Sequence, residues 1–213
     1  MHKSTFANLP SSKKQKVLEV LLKNFSDKHI SQVKVSDIVE GMAMSRGAFY
    51  KYFDDLEDAY LYTVHYYSLQ IHHDILTYIE KDKQDFFKGI ETYLAWCATL
   101  DKKNPYWSAI QFLTRSNDLA SHRRMTASSH KSPMLEEWFD LLEINGFSIK
   151  GEEEALSFLY FIMDLVMNAL TDCIANDWTC DQLLQDFNYK VKWLRLGLGD
   201  HLLQNKYKKN RLS

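Results

Sequence analysis

The sequence predicts an all-α protein, with a small three-helix unit over residues 9–54 followed by a larger helical body over residues 55–213. Three observations carry this. The 213 residues include only 7 glycines and 3 prolines but are 46% hydrophobic and 14% aromatic, too poor in turn formers for a β-rich fold and too apolar for disorder. Apolar residues recur at spacings of three and four along most of the chain, which is the period of amphipathic helices. No alternating apolar and polar run of more than a few residues competes with them.

Pro10-Ser11-Ser12 opens the first helix, in which Val17, Leu18, Leu21, Leu22 and Phe25 form one apolar stripe ending near Ser26. Residues 27–33 connect it to a second, short helix marked by Val35, Ile38, Val39 and Met42, with Lys34 or Ser36 near its start. Ser45 caps a third helix whose apolar face is Phe49 and Phe53. Asp54-Asp55 interrupts that pattern. Asp55 with Asp58 forms a capping box with Asp in place of Glu, and opens a long helix through Leu61, Val64, Leu69, Ile71 and Ile75 to Ile79 that bridges unit and body. Further helices are expected at residues 84–100, 105–115, 121–145 with a break allowed at Pro133, 152–176 and 181–204. "DKKNP", "SND", "NGF" and "NDWTC" supply the turns between them. There is no internal repeat, and the only biased tract is the basic stretch "NKYKKNRLS".

The overall charge of −2 conceals an asymmetry. Nine basic against four acidic residues give +5 through Phe53, and 17 basic against 24 acidic residues give −7 beyond it. A basic head on an acidic body directs any polyanion to the head. Three cysteines, Cys97, Cys173 and Cys180, contain no CxxC pair and suit free thiols in a reducing compartment, so cytoplasm is expected. The opening "MHKSTFANLPSSKKQK" lacks the apolar run of a signal peptide. The most apolar stretch, "ALSFLYFIMDLVMNAL", is interrupted by Asp164 and is short for a bilayer, so no membrane span is expected.

Few residues suggest chemistry. The sequence has no glycine-rich phosphate loop, nucleophile elbow or HExxH, which leaves an enzyme reading without support, and no cofactor is expected. His65, His72 and His73 share the bridging helix, but zinc needs a tighter spacing and a third ligand, so no metal is expected. The segment "SHRRMTASSHK", residues 121–131, is read as a solvated basic helix face rather than a second nucleic-acid site.

The stretch "SDIVEGMAMSRGAFYKYFDDLED" does suggest a function. Two short helices separated by a tight turn at Met42–Met44 have the layout of a helix-turn-helix. A helix entering the major groove needs small or base-reaching side chains at its leading end. Gly47 and Ala48 allow close approach there, and Arg46 can read guanine with two hydrogen bonds. Tyr50, Lys51 and Tyr52 can then reach phosphates, which fix register.

With the preceding stripe "VLEVLLKNF", the run "VSDIVEGMAMSRGAFYKYFDDLEDAY" resembles the N-terminal domain of TetR-type transcriptional regulators. The match lies in Ile38, the Ser45 to Ala48 run, Phe49, Tyr50, Tyr52 and Phe53, and covers about a quarter of the chain, residues 9–60. Two positions depart from the family pattern. The usual Ala-Gly turn is Met42-Ala43, and the site where the family often carries a phosphate-contacting lysine is Leu56, which shifts phosphate contacts toward Lys34, Ser36, Tyr50, Lys51 and Tyr52.

The resemblance implies a homodimer with its two heads on successive major-groove faces of an operator, and repression relieved by a small-molecule effector held among the body helices. Aromatic residues and the acidic balance of the body favour a flat, aromatic or cationic effector, with Trp96 and Trp107 as walls and Tyr93 and Asp164 as further candidates. The last two long helices carry surplus apolar surface, so the dimer interface is expected there, at Val166 and Leu194 among others. A different class remains open: a helical interaction or ligand-sequestering protein that keeps the helix-turn-helix only as structure.

Overall fold

The structure, a computed structural model, describes residues 3–115 and 133–196. Among these residues there are ten α-helices, one 3₁₀ turn at Ile30–Gln32 and no strand. In chain order the helices are α1 (Ser4–Ala7), α2 (Ser11–Asp27), α3 (Val35–Gly41), α4 (Arg46–Tyr52), α5 (Leu56–Lys81), α6 (Phe86–Ala98), α7 (Pro105–Arg115), α8 (Pro133–Ile144), α9 (Glu152–Ala175) and α10 (Cys180–Leu196). The basic segment 121–131, the expected helix start at 121–132 and the expected helix end at 197–204 lie outside the described residues.

Side-chain caps set the helix starts. The Asp55 carboxylate accepts from the Asp58 N–H at 2.8 Å, and Asp58 in turn accepts from the Asp54 N–H at 3.0 Å. The reciprocal arm of this capping box thus falls one residue before the N-cap. Asp85 caps α6 through the Lys88 N–H, and Thr179 with Gln182 forms a full box ahead of α10. The sequence-based reading misses α1, which is only four residues long, and the 3₁₀ turn inside the expected connection 27–33.

Two apolar cores form. The first gathers Phe6, the stripe of α2, Ile38 and Val39 of α3, Phe49 and Tyr52 of α4 with the following Phe53, then Tyr60, Val64 and Tyr67 of α5 and Phe112 of α7. It therefore runs well past residue 54. The second gathers Ile71, Ile75, Leu76 and Ile79 of α5 with the inward faces of α6 to α10. Helix α5 belongs to both cores. A second link ties the two regions, because the Phe25, Tyr60 and Phe112 rings of α2, α5 and α7 pack together with centroids 5.2–6.3 Å apart. Arg115 also donates to the Ser26 carbonyl, near the end of α2, at 3.1 Å.

Helix α9 takes the limits expected for it to within a residue, and at 24 residues it is long and apolar enough to span a bilayer by length and composition alone. It packs instead against α6, α7 and α10, with Leu159, Ile162, Met163, Val166 and Leu170 buried, as a core helix does. Trp138 of α8 is fully buried beside it and donates its indole N–H to the Ala155 carbonyl at 2.9 Å.

The tightest crossing is between α5 and α6, at Gly89. A Cβ built there would lie 2.5 Å from Ile79 Cα and 2.7 Å from the Tyr78 carbonyl oxygen, both backbone atoms. Alanine would gain about 1 kcal/mol in helix propensity, but overpacking against a backbone that cannot rotate away costs about 1–3 kcal/mol or more. Gly89→Ala is expected to lower the unfolding free energy by about 1–2 kcal/mol net, measured from the denaturant midpoint at unchanged slope. A variant as stable as wild type would show that the two helices have room to separate.

Candidate nucleic-acid interface

The turn between α3 and α4 closes by backbone hydrogen bonds alone. The Met44 N–H donates to the Val39 carbonyl at 2.9 Å and the Ala43 N–H to the Glu40 carbonyl at 3.0 Å. With Ala43 at φ 51°, in the left-handed region, this is a Schellman C-cap. Glycine is favoured at that position because its left-handed conformation costs nothing. Here an alanine occupies it. Ser45 then starts α4, its Oγ accepting from the Ala48 N–H at 3.2 Å.

Helix α4 is divided by its own period. Phe49 and the following Phe53 are fully buried, and Arg46, Gly47, Tyr50 and Lys51 are exposed, with Tyr50 48% accessible. Ala48 is half-buried between the two faces. Tyr52 does not join the outer face. It is 7% exposed, and its ring meets Phe6 edge-on at 5.7 Å. Its place in the candidate phosphate set is corrected to one beneath α4, because position 52 lies three residues from Phe49 and shares its inward side.

Gly47 has no packing reason to be glycine. A Cβ there would meet only Ser45 Oγ, at 3.8 Å, and a helical glycine costs about 1 kcal/mol. The small residue leaves open space on the outer face. Lys34, at the N-cap of α3, is exposed on the neighbouring element, and Ser36 is half-buried with its hydroxyl donating to Asp37 at 3.2 Å. Lys34, Arg46 and Lys51 form no ion pair among the described residues, whereas Lys28 is paired with Asp37 at 3.4 Å. Leu56 is half-buried in the first turn of α5 and packs on the first core.

A basic, small-residue outer face on a capped helix held by an aromatic underside is the geometry of a recognition helix. Beyond the head, the sequence model of the tetracyclin repressor-like C-terminal domain matches residues 85–198, more than half of the chain. The chain belongs to the TetR family. It is a transcriptional regulator, and DNA binding through the helix-turn-helix follows from the family. In fold it is similar to a TetR-family transcriptional regulator from Pectobacterium atrosepticum, at 15% identity over 90% of this chain and 97% of that one, with a TM-score of 0.54. Weaker similarities are to TetR regulators from Chloroflexus aurantiacus (18% identity, 92% and 91% covered, TM-score 0.40) and Rhodococcus sp. RHA1 (13%, 88% and 99%, 0.47). No curated protein matches the chain.

In the body of this TetR-family regulator the candidate effector residues separate. Tyr93 is fully buried, and its hydroxyl lies 3.0 Å from that of Tyr106. Burial pushes both phenols up, so they stay neutral. Trp96 is half-buried in an aromatic corner, stacked on Tyr78 of α5 at 5.8 Å and meeting Tyr106 of α7 at 4.9 Å. Asp74 of α5 interacts with Tyr106 in that corner, which the sequence-based reading missed because the pairing is tertiary. Trp107 is 8% exposed, and its indole nitrogen is buried without a hydrogen-bond partner among the described residues. Asp164 is exposed on α9, near His72 of α5. Burial drives the His72 imidazole down to about 4, against the pull of Asp164 and with the help of His65. Grooves of about 400 Å³ between α6 and α10, and of about 260 Å³ between α2 and α3, are lined by none of Tyr93, Trp96, Trp107 and Asp164.

The two dimer candidates also part. Val166 is fully buried inside its own chain and cannot face a partner, while Leu194 is 41% exposed. The outward apolar residues nearby are Phe161 on α9 and Tyr189 and Trp193 on α10.

Replacing Ala43 by glycine removes a left-handed alanine, which costs about 1–2 kcal/mol. It adds unfolded-state entropy of about 0.4–1 kcal/mol. Ala43→Gly is therefore expected to stabilise the protein by about 0.5–1 kcal/mol, read as a higher denaturant midpoint. A loss of stability would mean that the methyl group makes contacts worth more than the strain.

Proposed function

We propose that this TetR-family protein is a ligand-responsive repressor, which holds operator DNA as a homodimer and releases it when a small molecule settles among the body helices. The observation that carries the reading is the division of α4. Its underside is locked by Phe49, Tyr52 and Phe53, and its outer side offers Arg46, Gly47, Tyr50 and Lys51 to a partner. In this role Arg46 reads a guanine edge, Gly47 and Ala48 let the helix approach the groove, and Ser36, Ser45, Lys34, Tyr50 and Lys51 set register on phosphates. Residues 9–54 with the first turns of α5 form the reading head, and the rest of the chain carries effector and dimer surfaces.

The effector is assigned to the corner formed by Tyr78, Trp96 and Tyr106, with Asp74 as its acid. Ring faces attract cations, and Lys81 already sits 4.7 Å from the Tyr78 centroid, so an organic cation with an aromatic part suits the corner. The Trp107 N–H, without a partner among the described residues, would welcome an acceptor on a ligand that reaches it. Asp74 and Tyr78 are residues of α5, whose first turns belong to the head core, so a ligand that displaces this stretch changes the spacing of the two heads.

Binding measured at several salt concentrations, on a duplex selected from a random pool and on the unselected pool, tests the reading. A steep fall of affinity with salt and clear preference for the selected duplex are expected. Arg46→Ala should cost about 1–3 kcal/mol on the selected duplex and little on the pool, whereas Tyr50→Phe should weaken both alike. Neither salt slope nor preference in wild type would favour the helical interaction protein instead.

The dimer assignment follows the exposed apolar residues of α9 and α10. Trp193→Glu, which places a charge on that face, is expected to yield a monomer with weakened operator affinity in sedimentation and binding experiments. A wild-type monomer at micromolar concentration with full affinity would remove the interface.

A further inference from the structure

The segment Lys3–Leu9 precedes the helix-turn-helix, yet it is fastened to the far end of the recognition helix. The Lys3 N–H donates to the Tyr52 carbonyl at 2.9 Å, and the Lys3 ammonium donates to the Tyr50 carbonyl at 2.7 Å while pairing with Asp54 at 3.0 Å. Three residues on, Phe6 is fully buried, its ring 4.9 Å from Phe53 and 5.0 Å from Tyr62 of α5. From the other side, Lys14 of α2 donates to the Ala7 carbonyl at 3.0 Å.

These contacts answer a specific weakness of α4. The last four carbonyls of any helix lack partners within it, and a seven-residue helix is marginal in water by itself. Lys3 supplies donors to two of those carbonyls and a positive charge at the negative end of the helix dipole. Phe6 fixes the side on which α4 lies by wedging between its C-terminal end and α5. We infer that residues Lys3 and Phe6 form a strap that sets the position of the recognition helix, so that sequence-selective DNA binding depends on residues that do not themselves touch DNA. The inference rests on the DNA-binding reading of α4. It assigns Lys3 a positioning role and not a phosphate contact, because its ammonium is already engaged by the Tyr50 carbonyl and Asp54.

Two measurements on the full chain test it. In the first, amide hydrogen exchange is followed for residues 49–53 in Lys3→Met, Phe6→Ala and Lys3→Arg. Exchange there should quicken about tenfold in the first two, as local opening becomes easier, and stay near wild type in Lys3→Arg, which keeps the charge and donors. Unchanged exchange in both Lys3→Met and Phe6→Ala overturns the strap whether or not the protein binds DNA. In the second, binding of the selected duplex and of the random pool is measured against salt. The two variants should lose about three- to tenfold on the selected duplex, less on the pool, at an unchanged salt slope. A slope lower by about one in Lys3→Met, with equal loss on both DNAs, would make Lys3 a phosphate contact and overturn the proposal. Phe6→Ala risks partial unfolding, and Lys3→Met, which removes no core volume, carries the test in that event.

Discussion

The aromatic cluster beneath α4 is the constraint on which the rest of the head depends. A helix of seven residues, nucleated at a cost and fixed by few internal hydrogen bonds, owes its place to tertiary contacts. Phe49 and Phe53 supply these from inside the motif, Tyr52 and Tyr62 widen the cluster, and Phe6 closes it from outside. The aromatic rings meet at 4.9–6.0 Å in tilted and edge-on arrangements, which hold orientation better than aliphatic packing does. Because the side chains that hold the helix point inward, Arg46, Gly47 and Lys51 on the outer face carry little of that hold. That is why glycine is tolerated at position 47 and why, among the described residues, Arg46 and Lys51 stand without ion pairs beside it.

The same division extends along α5. Its first turns, through Tyr67, belong to the cluster's core, and its later turns, from Ile71, belong to the body's core. A helix shared by two cores couples the position of one to that of the other. The clamp on the body side is unusually close, since α6 meets the α5 backbone at Gly89 with no space for a methyl group. The aromatic corner with Asp74 lies at the body-side clamp, where Tyr78 belongs to both. On the proposed reading, a ligand held there acts on a helix whose first turns belong to the head core, with α2 and α7 as a second brace through Phe25, Tyr60 and Phe112.

How much of this was legible in sequence follows from which forces are local. Ser45 and Asp55 were readable as caps because a cap acts within three residues, and the stripe of α2 was readable because a helix period repeats. The limits of α7 were readable from Pro105 and the following polar run. What could not be read was which of several similar residues faces in. Tyr50 and Tyr52 look alike in sequence, yet two positions on a helix differ by about 200°, and only Tyr50 escapes the core. Val166 and Leu194 were both apolar candidates for an interface, and packing within the chain consumed the first. Asp74 and Phe6 were invisible for a different reason. Their meaning lies mainly in partners distant in the chain, Tyr106 for one and Tyr52, Phe53 and Tyr62 for the other.

The two departures from the family pattern weigh differently. Ala43 keeps the Schellman hydrogen bonds intact at φ 51°, so the turn geometry is preserved and only its stability is reduced. Leu56 is a change of kind. A lysine there would reach outward from the first turn of α5, but leucine turns into the first core and packs beside the cluster. The chain thus exchanges an electrostatic hold on the outside of the head for an apolar hold on its inside. Lys34, Arg46 and Lys51, all exposed and without ion pairs among the described residues, are the cations that the proposed reading brings to DNA at α4 and beside it. On the proposed reading the strap adds to this hold, Phe6 from inside the cluster and Lys3 from the exposed end of α4, so that a rigidly placed recognition helix serves where a larger set of phosphate contacts would otherwise keep it in register.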